Sequence, residues 1–167
     1  MTEINTVLQQ LIEALRNELQ QYGEILALLE RQQETVMLQG TNEILPCISA
    51  IDAQSAAIQA ARANRQLAQR NLAETLKQPF ESPFANLIPL VPEHYRPLVS
   101  ALVQENNELL QRVRQRAQHN HLLLRHSLEM MQRFITTLSP QDNSAPVHRG
   151  ENALSAVEPA SFYEAVV

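Results

Sequence analysis

The chain has 167 residues, a formal net charge of −5, a single cysteine, no tryptophan and aromatic side chains at only 4% of positions. An intramolecular disulfide and a cysteine-based zinc site are thereby excluded, and the acidic total argues against binding a phosphate backbone. The composition fits one domain with a core of Leu, Ile and Ala, as in helix bundles.

The N-terminus, Met1-Thr2-Glu3, lacks the basic region of a secretory signal. No apolar run approaches the ~20 residues of a membrane span. The expectation is a soluble cytoplasmic protein without membrane insertion. Glycine and proline are absent from Met1 to Tyr22, from Cys47 to Gln78 and from Leu98 to Leu138. Either residue costs roughly 1 to 3 kcal/mol inside a helix, so these stretches read as helical. The fold class that follows is all-α: an elongated antiparallel three-helix bundle or coiled coil. Its body covers 1–138, with helices at about 2–39, 42–77 and 93–138, and a flexible tail occupies 139–167.

The first helix starts at Thr2, a suitable N-cap. Its stripe runs Ile4, Leu8, Leu11, Leu15, Leu19, Tyr22, Leu26, Leu29 and Val36, widened by Ile12, Ile25 and Leu28. Gly40 ends it. Thr41 or Asn42 caps the second helix, with Pro46 near its first turn. Ile44, Ile48, Ile51 and Ile58 form the second stripe, continued by Leu67, Leu72 and Leu76. Between Gln59 and Asn71 the pattern loosens, which predicts a helix held by propensity and thinly packed.

The connection 79–97 carries five prolines together with Phe80, Phe84, Leu87, Ile88, Leu90, Val91 and Tyr95. So apolar a connection is expected to pack and close one end of the bundle, with a short helical turn starting at Ser82-Pro83. The third helix is on the order of 65 Å long. Its seam passes through Leu98, Leu102, Asn106, Leu109, Val113, Ala117, Asn120, Leu124, Met131 and Leu138, with the asparagines as polar breaks that can fix register. From Leu122 onward it turns apolar on more than one face: Leu122, Leu123, Leu124, Leu128, Met130, Met131, Phe134, Ile135 and Leu138. Two companion helices cannot cover all of that, so core packing and a partner groove are both open readings for this stretch. The tail ends on an apolar patch, Ala160-Ser-Phe-Tyr-Glu-Ala-Val-Val167.

No catalytic constellation stands out. There is no phosphate loop, no nucleophile elbow and no Glu-x-x-His. His94, His119, His121, His126 and His148 lack metal-ligand spacing and read as surface residues. Arg112, Arg114 and Arg116 point to different sides of a helix and read as solvated surface, not a nucleic-acid patch. The expectation is a protein that is not an enzyme and uses no metal or cofactor.

The chain resembles the FlgN-type flagellar export chaperones. The residues that carry the likeness are Leu8-Gln-Gln-Leu-Ile-Glu-Ala-Leu15, Glu18-Leu19 and Ile25-Leu-Ala-Leu-Leu-Glu-Arg-Gln32 in the first helix, and Leu102-Val-Gln-Glu-Asn-Asn-Glu-Leu-Leu110 in the third. The resemblance implies a small cytosolic chaperone in flagellar type III export. Its clients are the C-terminal helical segments of hook–filament junction (hook-associated) proteins, which it keeps from premature assembly and delivers to the export gate. It also implies client binding by the C-terminal part, here Leu124, Leu128, Met131, Phe134, Ile135 and Leu138, and gate docking by Tyr163. The glycine expected soon after that tyrosine is absent from this chain. The rival reading is a structural coiled-coil protein that self-associates, as a homodimer, through the same surface and has no client.

Overall fold

The computed structural model describes residues 2–38 and 41–138. Within them the chain forms α1 (Thr2–Met37), α2 (Thr41–Thr75), α3 (Phe84–Leu87), a 3-10 turn (Ile88–Leu90) and α4 (Arg96–Leu138). The three long helices therefore fall where the breakers predict, each within a few residues of the expected ends. Gly40 lies outside the described residues. Pro46 sits inside α2, deeper than the first turn, where it removes one backbone N–H from the helix. Pro97 occupies the first turn of α4, where no N–H is needed.

Successive long helices alternate in direction. Cys47 and Gln54 of α2 bond back to Leu28 and Gln21 of α1, so the two run antiparallel. Asn106 and Asn120 of α4 donate to the carbonyls of Leu15 and Leu29, each 91 positions away, so α4 runs parallel to α1 at a constant offset. The first helix is the centre of the body and packs against both others.

Burial follows the 3–4 spacing of α1, in two linked clusters. One joins Leu8, Leu11, Ile12 and Leu15 to Ala68, Leu72 and Ala73 of α2, to Phe84, Leu87 and Val91 of the connection, and to Val99 and Leu102 of α4. The second joins Tyr22, Ile25, Leu26 and Leu29 to Ile58, Leu110 and Val113. The connection closes the first end as expected, through Phe84, Leu87 and Val91, while Phe80 and Leu90 stay exposed. Its turn starts at Phe84, with Pro83 as the N-cap, one residue later than the predicted cap at Ser82.

Four predicted stripe positions change, along with the stretch 59–71. Glu18, not Leu19, occupies the deepest place between Leu15 and Tyr22; Leu19 is half-buried. Val99 replaces Leu98 in the seam of α4, and Leu98 is exposed. On α2, Ile48 and Leu67 are exposed, and the stretch read as thinly packed is well buried at Ala61, Arg62, Arg65, Ala68 and Gln69. The reason is a polar chain through the core. Arg65 donates to Glu18 at 3.0 Å and to Gln69 at 3.0 Å, Tyr22 donates to Glu18 at 2.8 Å, and Gln69 donates to the carbonyl of Ser82 at 2.9 Å. The alanines interspersed with these side chains leave room for the helices to approach. A buried ion pair is tolerable because its members carry further hydrogen bonds.

The C-terminus of α2 shows how the chain turns toward the connection. Gln78 donates to the carbonyl of Ala73 and Lys77 to that of Glu74, the paired bonds of a Schellman motif. Lys77 accordingly takes a left-handed φ of 57°.

Candidate functional site

The seam of α4 is continuous in sequence but not in burial. Val99, Leu102, Asn106, Leu110, Val113 and Asn120 are buried against α1. Beyond Asn120 no described residue of α4 is buried. Leu123 and Leu124 are half-buried, and Leu128, Met131, Phe134 and Ile135 are 50–64% exposed. The side chain of Leu138 and the whole of Tyr163 lie outside the described residues.

The cause is a mismatch of length. The offset of 91 set by the two asparagines places Met37, the last residue of α1, level with Leu128. The fourth helix runs on to Leu138, an overhang of about 15 Å at 1.5 Å per residue. Leu124, Leu128, Met131 and Ile135 follow Asn120 at spacings of four, four, three and four, which keeps them on the face that α1 covers higher up. Leu124, level with Gln33, is already half-buried, and Leu128, Met131 and Ile135 would be core if α1 continued. Phe134 flanks this strip. Leu122 and Met130, also exposed, point to other sides of the helix and do not belong to it.

Above the overhang the contacts between α1 and α4 turn polar. Asn120 donates to the Leu29 carbonyl at 2.6 Å and to Gln32 at 3.0 Å. Arg116 donates to Gln33 and lies 3.7 Å from Glu30. The basic run is thus not all solvated: Arg112 is exposed, but Arg114 and Arg116 are half-buried and Arg116 ties α4 to α1. Below this level the overhang is held by its own helix. Arg125 pairs with Glu129 at 3.3 Å one turn on, and Thr136 and Thr137 both donate to the Arg133 carbonyl.

The sequence reading missed a second apolar group at the same end. Met37 and Leu38 at the close of α1 are 68% and 82% exposed, and Leu45 of α2 is 74% exposed. Met37 stands one turn after Gln33 on the side of α1 that faces α4, whereas Leu45 lies across α2 from the buried Cys47.

The other concavities are shallow. One of them, about 680 Å³, runs beside α4 between Phe84, Ile88, Val103, Asn107, Leu110 and Arg114, at the closed half of the body. His94, His119, His121 and His126 are exposed. No helix among the described residues is long and apolar enough to cross a membrane.

Nothing among the curated proteins and nothing among the solved structures matches this chain. A family model described as FlgN protein matches residues 1–153. That family is the flagellar export chaperone for hook-associated proteins, and it is not enzymatic.

Proposed function

From the premise that the chain belongs to the FlgN family, we propose that it binds the terminal helical segments of hook–filament junction proteins on the overhang of α4. The binding face is Leu124, Leu128, Met131, Phe134, Ile135 and Leu138. In the cytoplasm the bound segment is shielded from premature assembly and delivered to the export gate, with Tyr163 as the gate-docking residue. The observation that supports this reading is the seam that outruns its partner: α4 keeps its apolar spacing past the end of α1, where no part of the described chain covers it.

An amphipathic helix laid along an apolar face is a general mode of recognition. Complete burial of a large apolar side chain contributes about 1.5–3 kcal/mol, and half or more of Leu128, Met131, Phe134 and Ile135 is still exposed to be gained. Ordering a disordered client offsets on the order of 2–5 kcal/mol.

The test is the triple variant Leu128→Gln, Met131→Gln, Phe134→Gln, titrated calorimetrically with a purified hook-associated protein from the same genome. Binding is expected to vanish while helicity and melting temperature stay as in the wild type. Loss of the fold would assign these side chains to the core. A stable wild-type homodimer that ignores the client would favour self-association instead.

A further inference from the structure

We infer that the end of α1 is the floor of the docking site, so that the bound segment lies along α4 in the line α1 vacates and ends against Met37 and Leu38. This rests on the chaperone reading above. The open strip of α4 is the same face that α1 occupies from Leu15 to Leu29, as the asparagine bonds to those two carbonyls fix. A helix seated on that face beyond Leu128 is therefore roughly coaxial with α1, and its near end meets the last turn of α1 end-on.

That turn is built for such a contact. Met37 follows Glu30 and Gln33 at helical spacing, and both of those side chains reach Arg116 of α4, so Met37 stands on the side of α1 that faces α4. Gln33 also lies against the Met37 sulfur at 4.0 Å. Leu38 comes next, its N–H closing the helix on Glu34. Both side chains are more than two-thirds exposed, so a partner covering them gains their burial. Leu45 is equally exposed and sits at the same end, but it lies across α2 from Cys47, which faces α1, so it points away from the site.

The occupant is an amphipathic helix with an apolar terminal turn, rather than a second copy of this chain. Four half-exposed side chains per copy, on the order of 100 Å² each, fall short of the ~1,200 Å² at which stable interfaces begin. The overhang is also net positive, with Arg125 and Arg133 against Glu129, so a second copy brings like charge to it. A client helix gains both the strip and the floor.

The experiment uses the full chain with a synthetic peptide of the terminal helical segment of the hook-associated protein from the same genome. Met37→Gln with Leu38→Gln is expected to weaken the peptide at least ten-fold without lowering the melting temperature, whereas Leu45→Gln leaves affinity unchanged. A photo-crosslinking residue at position 37 is expected to capture the end of the peptide, and one at position 45 is expected to capture nothing. Wild-type affinity in the Met37/Leu38 variant, with the strip variant inactive, overturns the floor and leaves the client strip standing. Capture of a second copy at position 37 overturns it as well. Failure of the wild type to bind the peptide removes both readings together.

Discussion

The two halves of α4 carry nearly the same apolar spacing and meet opposite fates. From Val99 to Asn120 the seam residues are buried; from Leu128 onward the same face lies open. Nothing in the local pattern of α4 separates them. The difference is the partner: α1 reaches only to the level of Leu128, and its last buried residues, Gln32 and Thr35, are polar. Burial here is a property of two helices in register, and the unpaired stretch of seam is the face we propose for the client.

Charged groups give the strongest way to break that comparison. Both halves of the body contain an arginine–glutamate pair of similar length, Arg65–Glu18 at 3.0 Å in the core and Arg125–Glu129 at 3.3 Å on the overhang. Arg65→Met removes the ion pair that holds the Glu18 carboxylate in the core, a loss on the order of 3–5 kcal/mol. Arg125→Met removes one solvated pair and is expected to leave the urea midpoint unmoved. Equal effects of the two substitutions in urea denaturation would mean that the overhang is folded into the core.

Alkaline pH sharpens the contrast further. Burial pushes the Tyr22 phenol far above its ordinary value, and the Glu18 carboxylate beside it adds to the shift. In the unfolded chain the phenol ionises near pH 10, while in the body it stays protonated. The stability it contributes is therefore complete below about pH 10 and declines as pH rises beyond that. Cys47, also raised by burial, pulls in the same direction from a lower pH. Tyr22→Phe removes a hydrogen bond to a charged group, costing about 1.5–3 kcal/mol at neutral pH. The gap between wild type and Y22F in thermal melts is expected to narrow above pH 10. A gap that stays constant to pH 11 would show that the phenol is not held neutral by the fold.

Helix content and the closed end were legible because glycine and proline act locally. The stripe of α1 was legible except at Glu18, since a carboxylate in a seam makes sense only beside Arg65, 47 positions away. The same long-range pair explains why residues 59–71 look loose in sequence and are packed in space. The surplus of apolar side chains after Leu122 was visible, but not its cause. That needed the register between α1 and α4, which the pattern of neither helix contains and which two asparagine side chains fix. Met37 and Leu38 escaped for the same reason: their exposure depends on where α1 ends against α4.

The smallest expected effect tests the central helix on which both halves depend. Gly23 lies in the interior of α1, exposed, and a methyl group added there would meet nothing within 4 Å. Its backbone is not left-handed, so an alanine fits without strain. The glycine thus serves no packing or turn requirement among the described residues and weakens the helix by its extra freedom when unfolded. Gly23→Ala is expected to raise stability by about 1 kcal/mol in urea denaturation. Because the substitution lies on the outer side of α1, far along the helix from Met37, affinity for the client peptide should not change. A gain in stability accompanied by a loss of affinity would mean that α1 must bend near Gly23 to admit the client, and the rigid alignment of the overhang with α1 would no longer describe the bound state.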